Sequence, residues 1–400
     1  MRKLIFLNRY FHPDISATSQ MASSLAFELA KAGYHVHALT SGRRYDNSGA
    51  VLPAEETVDG VSIHRVRTSG LGGARLIGKL VDYLSFYIGS LRRLRALVDK
   101  DDVVIVMTDP PLLSVFAQRV ISAKSAHLIN WLQDIFPETA MKLGALGPAA
   151  PFAGWMRRLR DNSLRKAAVN VVIGESMAEY LASRGIPRDK IAVIENWADE
   201  GIHPIDRDAN PLRKEWSLAD KFVVGYCGNL GRAHEYETIL QAAIRLKDDP
   251  NIVFLFVGGG ARLPALKEAV ARHGLTNFIF KPYQDHSRLA ETMSVPDLHL
   301  ISLRPELEGL VIPSKFYAIL AAGRPMVFIG DSQGELAHQI LGEKCGWCVS
   351  SSGDQALATQ LRILQGDLRG VEAAATQARK ISESHKALAR LTECCARFFA

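Results

Sequence analysis

Phe222-Val223-Val224-Gly225-Tyr226 leads through Gly228-Asn229-Leu230-Gly231-Arg232 into residues 235–246. The first run is short, apolar and rich in β-branched side chains, which predicts a buried strand. The glycines predict a tight turn, and the apolar spacing beyond them predicts a helix. Strand, glycine turn and helix make one α/β unit, with the turn at the strand's carboxyl end. The same grammar extends both ways. Downstream, strands are expected at 252–257, 278–281, 298–301, 326–329 and 347–349, a helix at 263–273, and a mostly helical stretch from Asp354. Upstream, strands are expected at 3–8, 35–40, 61–65, 103–108, 126–132, 170–174 and 191–194, with a helix at 18–32 that ends at Gly33. Residues 201–220 are polar and turn-rich and read as a linker. The fold class is therefore α/β, with two successive Rossmann-like domains at 1–200 and 201–384. The helix at 385–400 is expected to complete the first domain. Ligands are expected at the strand carboxyl ends, in a cleft between the domains.

A chain of 400 residues with 48% hydrophobic content can bury two ordinary cores. No apolar run approaches the ~20 residues that span a bilayer. Met1-Arg2-Lys3-Leu4-Ile5-Phe6-Leu7 looks like the front of a signal peptide, but Asn8, Arg9 and His12 interrupt it, so a first buried strand is expected. Net charge is +6 and the pI is near 9.0. That mild excess suits anionic substrates, an anionic membrane surface or nucleic acid alike; nucleic acid is not expected as a partner. Five cysteines without a signal peptide suit a reducing cytoplasm. Cys345-Gly346-Trp347-Cys348 has C-x-x-C spacing but no second pair or nearby histidines, so it reads as packing and turn residues.

Two segments of the second half carry chemistry. Glu308-Gly309-Leu310-Val311-Ile312-Pro313-Ser314-Lys315 precedes a helix that ends at Ala321-Ala322-Gly323-Arg324-Pro325. A carboxylate such as Glu308 accepts from sugar hydroxyls, while Lys315 at a helix start suits phosphates. In the first quoted segment, the glycines let the backbone approach a ligand, and Arg232 adds a permanently charged fork for phosphate oxygens. A glycine turn after a strand is common by itself. Its pairing with the Pro-Ser-Lys segment in one domain is what points to a phosphate site, for a ligand that carries both sugar hydroxyls and phosphates.

These segments resemble the retaining glycosyltransferases of family 4, which have the GT-B fold, and most of all their bacterial surface-polysaccharide branch with a Pro-Ser-Lys donor segment. The markers run in order through nearly the whole chain: Tyr10-Phe11-His12-Pro13-Asp14, Gly228 to Arg232, Val257-Gly258-Gly259-Gly260, and Glu308 to Pro325. The resemblance implies transfer of a sugar from a UDP- or GDP-linked donor to a hydroxyl, with the anomeric configuration kept. It places Arg232 on the diphosphate and Glu308 on the transferred sugar. Gly228, Asn229, Gly231, Gly309, Leu310, Ser314 and Lys315 complete the donor site, with Tyr283 near the base and Asn196 at the cleft. On the acceptor side it points to Asp134, in Asn130-Trp131-Leu132-Gln133-Asp134; His12, in the first strand-helix loop, is a further candidate by its position. Catalytic roles fall to Asp134, Arg232, Lys315 and Glu308. Asp134 also reads as an N-cap for a short helix near 137–142, and His12 as a structural histidine. Three positions depart from the family pattern. Glu237 stands where relatives place a lysine, Gln133 where many place a histidine, and Ala318 where a second glutamate binds ribose.

Other readings fit less well. Gly258-Gly259-Gly260 suggests dinucleotide binding, but the third fingerprint glycine falls on Leu263. Asp99-x-Asp101 and Asp206-x-Asp208 have the spacing of a metal-dependent transferase but read as solvated loop charges, so no metal or other cofactor is expected. Between Arg65 and Arg95, seven Lys/Arg and one acid, Asp82, lie among Tyr83, Phe86, Tyr87 and leucines. Such a helix either docks on an anionic membrane or packs its apolar face on the sheet. Arg157, Arg158, Arg160, Arg165 and Lys166 would extend the patch. Lipid-linked acceptors, common in the resembled family, favour a peripheral position on the inner face of the cytoplasmic membrane. Two alternatives remain beside the transferase: a non-hydrolysing UDP-sugar 2-epimerase, and a non-catalytic sugar-nucleotide sensor or scaffold.

Overall fold

A computed structural model describes residues 2–14, 16–44, 51–70 and 76–398, with the backbone alone for 76, 77, 79 and 80. The chain forms two compact units, Met1–Asn196 with Lys386–Ala400, and Trp197–His385.

In the first unit the described strands are β1 (Lys3–Leu7), β2 (His35–Ser41), β3 (Glu55–Val58), β4 (Val61–Val66), β5 (Val103–Met107), β6 (His127–Trp131), β7 (Val169–Val172) and β8 (Ile191–Val193). They form one sheet in the order β3-β4-β2-β1-β5-β6-β7-β8. All neighbours pair in parallel except β3, which runs antiparallel to β4. Parallel strands covered on both faces must be apolar throughout, and β5 is buried at every residue. Ile5, Leu39, Val104 and Leu128 from neighbouring strands meet Phe86 and Leu94 of the helix Leu76–Leu97 in one core. The Glu-Glu-Thr-Val sequence of β3 gives no strand signal. It is a charged edge, which keeps the sheet from recruiting further strands.

The helix Ala387–Ala396 belongs to this first unit. Leu391 and Cys395 bury its inner face, and Arg390 reaches Glu195 at 2.7 Å and the carbonyl of Val193 at 2.6 Å.

The second unit holds β9 (Phe222–Cys227), β10 (Ile252–Val257), β11 (Phe278–Lys281), β12 (Leu298–Ser302), β13 (Met326–Gly330) and β14 (Gly346–Ser350). Its sheet is parallel throughout, in the order β11-β10-β9-β12-β13-β14. Gly225 in β9 is required by packing, because a Cβ there would lie 2.1 Å from Pro296 Cγ. Residues 201–220 are not a free linker. They carry the short helix Pro211–Glu215, bury Leu212, Trp216 and Leu218, and tie Arg213 to Val295 O at 2.7 Å and Asp297 at 3.2 Å. The buried anchors are spaced among polar residues, which hides them from a composition reading.

Among the parallel strands, each sheet has one place where the chain order reverses. In the first it lies between β1 and β5; in the second, between β9 and β12. Loops leaving paired strands on opposite sides open a crevice there. Among the described residues, no helix is long and apolar enough to cross a membrane.

Candidate active site

The crevice of the second unit is built by the turn after β9 and the loop after β12. Gly228, at φ +112°, starts the turn, and Leu230 N–H donates to Gly259 O at 2.7 Å. A Cβ on Gly258, at φ +129°, would lie 2.5 Å from Gly228 O. The Gly258 to Gly260 triplet thus serves close approach of two loops, which accounts for it without a dinucleotide.

Lys315 enters this turn from its far partner loop. Its Nζ donates to Asn229 O and to the Tyr226 hydroxyl, both at 3.0 Å, and lies 4.3 Å from the centre of the Tyr226 ring. Tyr226 is itself fixed by stacking on Phe256 at 5.2 Å. Both hydrogen-bond partners are neutral, and burial lowers the pKa of Lys315 to about 7. An ammonium held by neutral acceptors in a partly dry site is one that an anion would recharge. Arg232, in the same turn, is exposed and makes no hydrogen bond or ion pair among the described residues. Glu237 pairs with Arg262 at 2.5 Å, so the position of the absent lysine holds a neutralised pair.

Glu308 follows a short 3-10 turn, and Gly309 after it has φ +70°. The Glu308 carboxylate accepts from Glu335 N–H at 2.9 Å, at the start of the helix Glu335–Gly342. A Cβ on Gly334 would lie 2.5 Å from the carboxyl carbon, so a larger residue there would displace the carboxylate. Burial raises its pKa, with Asp331 and Glu335 adding to the rise. Leu310 is buried and Ser314 precedes the helix Lys315–Ala321. Tyr283 is 51% exposed and lies over Gly258 and Gly259, a flat face on the glycine loop.

The first unit places a different set at its crevice. Arg9, just beyond β1, sits between the rings of Tyr10 (5.0 Å) and Tyr83 (4.8 Å) and 3.7 Å from Asp82. Its backbone N–H donates to Asp109 O at 2.8 Å, joining the loops after β1 and β5. Burial raises the Asp109 carboxyl to about 6; Arg9 works against the rise, while Asp134 and Asp14 add to it. Asp134 is likewise raised by burial and is hydrogen-bonded to Thr108. It does not cap the helix Glu138–Lys142, whose preceding residue is Pro137. Thr108, Leu112, Trp131, Asp134 and Phe136 help to line a pocket behind it.

Two expected site residues have other partners here. Asn196 is 1% exposed and exchanges hydrogen bonds with Gln133 at 2.8 and 3.0 Å within the first unit. The His12 ring packs edge-on against Phe27 at 5.5 Å, and burial lowers its pKa. Sequence reasoning missed Asp109, Arg9 and Tyr83. A signal was present: Asp109 lies two residues beyond the end of the all-apolar β5, and Asp134 three beyond the end of β6.

Two family matches bear on these crevices. Residues 16–197 match the glycosyl transferase 4-like domain, and residues 208–380 match the glycosyl transferases group 1. The chain is a glycosyltransferase, with a 4-like first half and a group 1 second half. It is 24% identical to the putative colanic acid biosynthesis glycosyl transferase WcaI of Escherichia coli, over 90% of this chain and 91% of that one. The fold is GT-B. Sucrose-phosphate synthase from Thermosynechococcus elongatus superimposes with a TM-score of 0.79 at 15% identity, covering 100% of this chain and 99% of the other. Anabaena HepE, solved in complex with UDP-glucose, gives 0.73 at 15% identity, with coverage of 100% and 99%. The family matches and the relative named a glycosyl transferase support transferase activity for this chain.

The surface of the first unit corrects the expected basic patch. Arg75 and the side chain of Lys79 lie outside the described residues. On the helix Leu76–Leu97, Phe86 is buried and the Tyr87 hydroxyl bonds Pro111 O, so the aromatics face inward. The outward stripe is aliphatic: Val81, Leu84 and Ile88 are 37%, 52% and 59% exposed. Asp82, the one acid of that stretch, faces in, and Arg92 and Arg95 face out. Arg160 leaves the patch, because it is buried between Glu138 and Asp161, each 2.7 Å away. All five thiols are free, and Cys345 is fully buried. Among the described residues, no three His, Cys, Asp or Glu side chains gather as metal ligands would.

Proposed function

We propose that the enzyme binds a nucleotide-diphosphate sugar at the crevice of its second unit and transfers the sugar, with retention, to a hydroxyl of a lipid-linked glycan. The observation that carries this reading is the Lys315 ammonium held 3.0 Å from Asn229 O, on the turn that also bears Arg232. Two cations from loops 83 positions apart in sequence serve one turn, which is what a leaving diphosphate requires. Pyrophosphate oxygens would replace the neutral acceptors of Lys315 and restore its full charge. Charge neutralisation would then come from the protein, and transfer would proceed without a metal ion. Glu308 is oriented by the helix start it caps, with its carboxylate available to sugar hydroxyls.

On the acceptor side, Asp109 and Asp134 would receive the incoming hydroxyl, and front-face substitution would pass its proton to the leaving phosphate. The relative named for colanic acid biosynthesis supports a role in bacterial polysaccharide assembly. The exposed Val81, Leu84 and Ile88 stripe beside Arg92 and Arg95 supports a peripheral position on an anionic membrane, from the cytoplasmic side.

Thermal-shift measurements with UDP and GDP test the donor site first, because a ligand that binds the native state raises Tm. Incubation with UDP- and GDP-sugars should then give nucleotide release that depends on acceptor, and NMR of the product should show the donor's anomeric configuration. An inverted product would end the retaining reading, and sedimentation with anionic vesicles at low salt tests the membrane.

A further inference from the structure

His234 lies two residues beyond Arg232, between the glycine turn and the helix Glu237–Arg245. Its ring stands edge-on to Tyr226, at 6.1 Å and 79°, on the side chain that also holds Lys315. Its Nδ1 lies 2.7 Å from the carbonyl oxygen of Ser302, at the end of β12. A carbonyl cannot donate, so Nδ1 carries the hydrogen and Nε2 of the neutral ring keeps a bare lone pair. Burial, and then the charge of Lys315, lower the ring's pKa to about 3. Nε2 has no partner among the described residues. The ring edge next to it faces the turn: His234 Cδ2 is 3.8 Å from where a Gly231 Cβ would sit. The crevice therefore contains, beside its cations and the Glu308 carboxylate, a ring nitrogen that only accepts.

We infer that His234 Nε2 accepts a hydrogen bond from a hydroxyl of the bound donor, on the ribose or on the transferred sugar. This rests on the second-unit crevice being the donor site. A phosphate oxygen is the wrong partner, because two acceptors facing each other without a proton repel. A hydroxyl supplies the missing hydrogen and leaves the phosphates to Lys315 and Arg232. His234 is then a specificity-determining residue that reads hydroxyls beside a diphosphate.

The test compares His234→Phe and His234→Gln in the full chain by calorimetry with UDP, UDP-glucose, GDP and GDP-mannose. Phenylalanine keeps the ring without the acceptor. Glutamine can still donate to Ser302 O and present an acceptor oxygen. Loss of one neutral hydrogen bond should weaken His234→Phe by about 3- to 10-fold, with His234→Gln restoring most of it. A loss already present with the free nucleotide assigns the ribose; a loss confined to the nucleotide sugar assigns the sugar. Binding by His234→Phe within about twofold of wild type for the ligands that wild type binds would overturn the inference. Equal losses in both variants would overturn it too, since they would mean only that the Ser302 contact had been broken. Arg232→Ala separates this from failure of the donor site. If that variant binds as wild type, or if wild type binds none of the four ligands, the donor reading falls and takes this inference with it.

Discussion

The two sheets reverse their chain order in equivalent places and put opposite chemistry there. At the crevice between β9 and β12, a lysine is held by a tyrosine hydroxyl and a backbone carbonyl, and its charge is weakened by burial. At the crevice between β1 and β5, burial weakens two carboxylates instead, and the nearby Arg9 is wrapped in tyrosine rings. Topology decides where a parallel sheet can bind, and the few residues after the strands decide what it binds. A diphosphate suits the first set. A hydroxyl that must find an acceptor suits the second.

The sharpest way to break this contrast is to remove the cations. Lys315→Met and Arg232→Ala should each weaken nucleotide binding by about 10- to 100-fold, the range for a charge-assisted contact with phosphate. Asp109→Asn should leave nucleotide binding unchanged, as titration calorimetry would show. If the first-unit variant lost the nucleotide as well, the division of labour would be wrong. The Lys315 amine should also make nucleotide binding pH-dependent. Above pH 7 the free protein increasingly holds a neutral amine that must take up a proton on binding. Affinity should therefore fall by up to about tenfold per pH unit toward pH 9, and Lys315→Met should flatten the profile.

The acceptor side should show a smaller loss of a different kind. Asp109→Asn and Asp134→Asn should each lower kcat/KM for the acceptor by about tenfold, while the Tm rise caused by nucleotide stays as in wild type. An amide still accepts a hydrogen bond through its oxygen, so the loss should reflect the missing charge. Full acceptor turnover in both variants would leave the first-unit crevice without a role.

Legibility in the sequence followed the same division. The second unit announces its site because phosphate chemistry demands glycine turns and cations in a fixed order, and Gly228 to Arg232 and Glu308 to Lys315 show both. The strands were legible for a related reason. A parallel strand covered on two faces has to be apolar throughout, as β5 and β10 are. The polar edge strand β3 carries no such mark. Neither do the anchors Leu212, Arg213 and Trp216, which lie in a turn-rich stretch. Arg9, Tyr83 and Asp109 come from three separate parts of the chain, and only the sheet order brings them together. No spacing rule links them. Asn196 shows a partner that no spacing rule gives: its side-chain amide exchanges hydrogen bonds with Gln133, 63 positions away.

The smallest effect is on stability, and its sign differs between the two crevices. Lys315 has a folded pKa near 7 against 10.5 for an unperturbed lysine, so between those values the unfolded chain holds more protons. The penalty for burying it is therefore complete below pH 7 and fades as pH rises toward 10. Asp109 has a folded pKa near 6 against 3.8, so here the native state holds more protons within that window. Its penalty is complete above pH 6 and fades as pH falls toward 4. Lys315→Met should accordingly raise Tm by about 2–4 °C at pH 6 and by little at pH 10. Asp109→Asn should raise it by a similar amount at pH 7.5 and by little at pH 4. A pair of melting series in which both variants gain stability in the same direction of pH would show that buried charge is not what distinguishes the crevices. Opposite trends would show that each unit gives up stability to hold a group of opposite sign ready for its own half of the reaction.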